Sequence, residues 1–143
     1  MTHSSEDLFL RIRARHGHYC PMSTLGGRLG MAALGALGDD SGELTATYRI
    51  DTCAADGIAV ATGCLPEEGR LTVRAEGRHR LELHGDGRGV CAELTNAALQ
   101  QAAACRRWLD AGEDADSVLA ALRTAADQEL IVLTPLSAGE NDA

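Results

Sequence analysis

Lysine is absent from this chain, and aromatic side chains make up only 3% of its 143 residues. Phe9, Tyr19, Tyr48 and Trp108 cannot fill a core by themselves, so Ala, Leu, Val and Gly must do so. Elements therefore have to pack closely through small side chains, and sixteen glycines point the same way. A basic stripe is missing too: acidic residues outnumber basic ones by 21 to 13, a formal net charge of -8. With few aromatics for base stacking, nucleic acid is not an expected partner. The arginines at Arg11, Arg13, Arg15 and at Arg106–Arg107 read as solvated helix faces. No apolar run approaches the roughly 20 residues that a membrane-spanning helix needs. Five cysteines are present, yet no two form a Cys-x-x-Cys pair, which sets aside zinc-finger spacing. Met1 to Asp7 is polar and acidic rather than basic and then apolar. The expectation is a cytoplasmic protein whose thiols serve metal or redox chemistry rather than structural disulfides.

The length suits one domain with a real core. A capped amphipathic helix is expected over 4–15, with Ser4 as cap and Leu8, Phe9 and Ile12 on one face. Gly17 and Pro21 interrupt it, and a second helix follows to about Leu37, with Cys20 at its N-cap and Asp39-Asp40 as the turn beyond. Four glycines inside that helix each cost about 1 kcal/mol of helicity relative to Ala. A sequence accepts such a loss where another backbone or a ligand must come close, which invites a homodimer, though a neighbour within the chain would satisfy it equally. Strands are expected near 43–51, 70–75, 79–84, 88–94 and 129–133. The third and fourth should form a hairpin about Gly85-Asp86-Gly87. Helices are expected at 54–61, from Thr95 to Leu109, and over 114–126. These elements imply an α+β fold in a single domain, residues 1–136, with N-terminal helices, a mainly antiparallel sheet with helices packed on it, and a disordered tail over 137–143.

Chemistry concentrates in three stretches: His16-Gly17-His18-Tyr19-Cys20-Pro21, Asp51-Thr52-Cys53-Ala54-Ala55-Asp56 and Thr62-Gly63-Cys64. In an extended segment, His16, His18 and Cys20 would point to one side and converge. Cys20 and Cys53 both stand at helix starts, where partial positive charge favours a thiolate. Asp56 lies one helical turn beyond Cys53, and Cys64 follows the end of that helix. The metal-ligating set is thus His16, His18, Cys20, Cys53 and Cys64. Its donors suit Zn²⁺, or alternatively Fe²⁺ or Cu(I), and exclude Mg²⁺ and Ca²⁺. Cys91 and Cys105 read as core, and His3, His79 and His84 as solvent-exposed. For catalysis, Cys20 and Cys53 would act as thiols and Asp56 as general base. Arg28 is placed to pair with a small anionic ligand.

The order His-Gly-His-x-Cys-Pro, Gly-x-Arg (Gly26, Arg28), Cys-x-x-Asp (Cys53, Asp56) and Thr-Gly-Cys resembles the FmdE-like proteins, relatives of the E component of formylmethanofuran dehydrogenase. The likeness runs over about residues 8–136. It departs at Met22, where the family usually has Gly, and at Leu65 to Gly69, which lacks the family's usual turn. The resemblance implies an α+β domain that binds a metal, commonly zinc, often as a homodimer. It places His18, Cys20, Cys53 and Cys64 next to the metal, with His16 and Asp56 as further ligands or orienting partners. An accessory or carrier role follows, the alternative being a metal- or thiol-dependent enzyme for a small anionic or sulfur-containing substrate.

Overall fold

A computed structural model describes residues 5–38 and 42–136. The element order is α1 (Ser5–His16), α2 (Pro21–Leu37), β1 (Thr45–Tyr48), α3 (Ala54–Thr62), β2 (Leu71–Val73), β3 (Arg80–Gly85), β4 (Arg88–Leu94), α4 (Asn96–Asp110), α5 (Ala115–Thr124), α6 (Asp127–Leu130) and β5 (Ile131–Leu136). A 3₁₀ turn, Pro66–Glu68, precedes β2. The expected α+β class holds. The Ser4 cap, the Asp39-Asp40 turn, His3 and the tail from 137 lie outside the described residues.

The sheet runs β2-β1-β3-β4-β5 and is antiparallel except for the β1–β2 pair. A parallel pair needs a crossover connection. Here α3 and the 3₁₀ turn provide it. Asp86-Gly87 turns the β3–β4 hairpin, with Gly87 at φ 68° and Gly85 paired to Arg88. β5 runs on through Pro135, past the expected stop. It is an edge strand, where a missing N–H breaks no ladder on the open side. Thr95 and Asp114 cap α4 and α5 by accepting from the N–H groups of Ala98 and Ser117.

Strand alternation sends Leu81, Leu83, Val90, Ala92 and Leu94 into one core with Leu25, Leu29 and Ala33 of α2. Leu8, Phe9 and Ile12 of α1 form a second cluster, against Val60 and Ala61 of α3. The two helices that carry the chemistry, α2 and α3, cross at glycine. A Cβ on Gly26 would lie 2.8 Å from Ala54 Cα, and one on Gly57 would meet the backbone of Ser23 and Gly27. The close neighbour that the glycines called for is therefore α3 of the same chain. The glycine argument for a homodimer loses its footing.

The sheet's other face holds a charge network. Arg49 and Glu82 are both buried, at 7% exposure. Arg49 donates to Glu82 through Nη2 at 2.6 Å and Nε at 3.3 Å, and Arg80 Nε donates to the same carboxylate at 2.8 Å. Burial pushes the Glu82 carboxyl up, but the bonds from Arg49 and Arg80 outweigh it, so its pKa falls below the ordinary glutamate value. Stability from this group is fully present above its unfolded pKa, about 4.3, and is lost as pH falls through the lower folded value. Arg49→Met should cost about 3 kcal/mol by leaving a buried carboxylate short of partners. The variant should also lose less stability between about pH 5 and pH 3 than the wild type, because without Arg49 the folded pKa of Glu82 moves back toward its unfolded value. Urea unfolding midpoints from pH 7 to pH 3 check both.

Candidate metal centre

His16 is the last residue of α1, and Gly17, at φ 98°, ends the helix by bonding its N–H to Arg13 C=O at 2.7 Å. The chain then turns through His18 and Tyr19 to Cys20, which is extended (φ −150°, ψ 139°) at the N-cap of α2. Cys20 C=O takes bonds from Thr24 N–H, Ser23 Oγ and Thr24 Oγ1 at 2.9–3.1 Å, which fixes the residue before the helix. Cys53 sits at the N-cap of α3, next to Thr52, whose Oγ1 accepts from Ala54 N–H at 3.2 Å. The glycine crossing of α2 on α3 sets these two helix starts side by side.

One ring nitrogen of His16 and the sulfurs of Cys20 and Cys53 lie within 4.8 Å of one another. His16 Nδ1 is 2.8 Å from Asp56 Oδ2. Asp56 Oδ1 accepts from Arg15 Nε at 3.3 Å, and the rest of that guanidinium forks onto Glu67. His16 Nε2 is buried and has no hydrogen-bond partner among the described residues. A buried nitrogen without a partner is costly. A metal ion would satisfy it, since carboxylate–histidine–metal chains use one ring nitrogen for each neighbour. Tetrahedral zinc with one nitrogen and two sulfurs would space these donors about 3.5–3.8 Å apart, inside the bound they meet. The residues therefore fit a metal of the zinc type.

Burial differs across the three donors. Cys20 is 1% exposed, the His16 side chain 11%, and Cys53 is exposed to solvent. The cluster is thus closed on one side and open on the other. Beside Cys20, the half-exposed Arg106 of α4 donates from Nη2 to Cys20 Sγ at 3.5 Å, near enough for its charge to act on Cys53 as well. The Cys53 thiol is pushed up, first by desolvation and then by the charge and hydrogen bond of Cys20. Arg106 opposes the shift and Asp56 adds to it. This runs against the expectation of a thiolate at Cys53: desolvation first, and then the neighbouring Cys20 sulfur, holds the proton on.

The remaining sequence candidates fall elsewhere. His18 is exposed and outside the three-donor group, its ring stacked on His16 with centroids 4.5 Å apart and a 39° tilt. The segment is not extended at His16, so the one-sided alternation that would have aimed His18 inward does not apply. Cys53 and Cys64 flank opposite ends of α3, a nine-residue helix about 13 Å long by its rise per residue. They cannot share one ion. Cys64 is 1% exposed within the main core, and burial pushes its thiol up. Arg28 donates to the C=O groups of Leu122 and Ala125 and to Asp127, tying α2 to the end of α5. Cys91 and Cys105 are buried, as expected. His79 and His84 are half-buried rather than exposed. Arg106, expected only on a solvated helix face, reaches Cys20 instead, a contact no motif marked.

The profile described as "FmdE, Molybdenum formylmethanofuran dehydrogenase operon" matches residues 15–135. The chain belongs to the FmdE family. A crystal structure of a tungsten formylmethanofuran dehydrogenase FmdE-like protein from Syntrophus aciditrophicus superposes with a TM-score of 0.71. That match covers 95% of this chain and 73% of the other, at 23% identity, a likeness of fold. A probable S-adenosyl-L-methionine-binding protein of Archaeoglobus fulgidus is 32% identical over 92 residues. That match takes in 58% of this chain, which spans about a quarter, 25%, of the curated relative's length. For this FmdE-family chain, no described helix is long and apolar enough to cross a membrane.

Proposed function

We propose that this FmdE-family protein binds one zinc-type ion through His16, Cys20 and Cys53 and serves as an accessory or carrier protein. Fe²⁺ is the alternative metal, and Cu(I) suits the same soft donors. The observation that carries the reading is the buried, unpartnered His16 Nε2, with two sulfurs close by and Nδ1 held by Asp56. An ion held by three protein donors, one of them exposed, can be passed to a partner or reached by an external ligand. Asp56 supports this as an orienting group rather than a general base, because each of its oxygens already has a partner. The family's association with formylmethanofuran dehydrogenase suggests the system it serves. A homodimer and a cytoplasmic setting belong to the same proposal.

Protein purified without added metal should contain about one zinc or iron per chain by elemental analysis. Asp56→Asn should lower affinity by roughly 10–100-fold, the usual cost of losing a ligand's orienting partner. Competition with a chromophoric chelator measures it. A metal-free preparation that also refuses added Zn²⁺ and Fe²⁺ ends the proposal.

A further inference from the structure

The metal reading leaves one guanidinium beside the cluster without a task. Arg106 Nη2 donates to Cys20 Sγ at 3.5 Å. Its Nη1 only approaches Asp110, one turn along α4, at 4.0 Å, and those side chains are 47% and 69% exposed. Such an open pair holds little. Arg15, also near the cluster, is bound to Asp56 and Glu67. Arg28, which the sequence offers to an anion, is held by the end of α5. Among the described residues, the guanidinium seen to donate to one of these sulfurs is that of Arg106.

Charge balance shows what it is suited to. A divalent ion with two thiolates and a neutral imidazole carries no net charge. A ligand arriving from the open Cys53 side completes four-coordination, and an anionic one leaves an excess of −1 in a partly dry site. A carboxylate on the same ligand adds a second negative charge; an adjacent guanidinium offsets that one, and its planar fork fits the carboxylate with two parallel bonds.

Resting on the metal-binding reading, we propose that the open side of the His16–Cys20–Cys53 centre accepts a small thiol-carboxylate. Its sulfur would take the fourth metal position and its carboxylate would pair with Arg106. Binding transfers no electrons. The thiol would give up its proton to solvent on binding, the ion supplying the Lewis acidity that favours the thiolate.

The test uses the full chain loaded with Co²⁺, whose visible bands report a fourth sulfur. Mercaptoacetate and 2-mercaptoethanol are titrated separately into wild type, Arg106→Gln and Arg106→Lys. Wild type should favour mercaptoacetate by about tenfold or more, given the strength of a charge-assisted pair. Arg106→Gln should lose that preference while keeping cobalt stoichiometry. Arg106→Lys should restore part of it, as a point charge without the fork. Equal affinity for the two thiols in wild type overturns the inference. So does an Arg106→Gln variant weakened equally toward both, which would make Arg106 a support of Cys20 alone. A chain that takes up no cobalt overturns the metal reading and this inference together, and the bands distinguish that case.

Discussion

Gly26→Ala is expected to unsettle the fold and empty the metal centre at once. The new Cβ would lie 2.7 Å from Ala54 C and 2.8 Å from its Cα, with the carbonyl oxygen nearer still. These are backbone atoms of α3's first residue, so no rotamer change relieves the clash. Either α3 shifts or α2 bends. Overpacking of this kind costs about 1–3 kcal/mol, and more where the obstacle cannot yield. Ala54 directly follows Cys53, so displacing it carries the Cys53 sulfur away from Cys20. The urea midpoint should fall, and metal bound at a fixed free concentration should drop at least tenfold. Gly35 is the control: it lies in the same helix, is exposed, and would meet nothing within 4 Å. Gly35→Ala should gain about 0.5–1 kcal/mol and leave metal binding unchanged. Equal behaviour of the two variants would remove the helix crossing as the device that assembles the site.

The contrast between these two glycines shows where sequence reading reaches its limit. Periodicity and capping residues place α1 to α5, and Asp86-Gly87 places the hairpin, because local signals decide those elements. Composition also reveals that something must approach α2 closely, but not that the neighbour is α3. That partner depends on Gly57 meeting Ser23 and Gly27, far back along the chain. The parallel β1–β2 pair is likewise illegible, since β2 is three residues long and its place is set by the crossover.

Much the same division runs through the site. His16, Cys20, Cys53 and Asp56 stand out by residue type and spacing, and the fold brings them together. His18 and Cys64 share the motif without sharing the cluster. One is turned aside after Gly17, the other sits a helix length away in the core. Arg106 reaches Cys20 from 86 residues along the chain, and only the packing of α4 discloses it.

Serine substitutions at the three motif cysteines separate these roles most sharply. Cys20→Ser and Cys53→Ser each replace a thiolate donor with a hydroxyl of little affinity for zinc. Each should reduce metal content from about one equivalent to near zero by elemental analysis. Cys64→Ser should keep the equivalent and instead lose about 1–3 kcal/mol, because its hydroxyl would lie buried in an apolar core. The pH dependence adds a second signature. A metal must displace the Cys53 proton, and desolvation together with the Cys20 sulfur keeps that proton bound above the ordinary thiol pKa. Apparent affinity should therefore climb as pH rises through neutrality, by about tenfold per unit for each proton released. It falls as pH drops, because protons compete for the sulfur. Residual metal binding in Cys53→Ser should show a shallower slope by one proton. A Cys64→Ser protein that loses its metal while remaining folded would move the centre to the other end of α3.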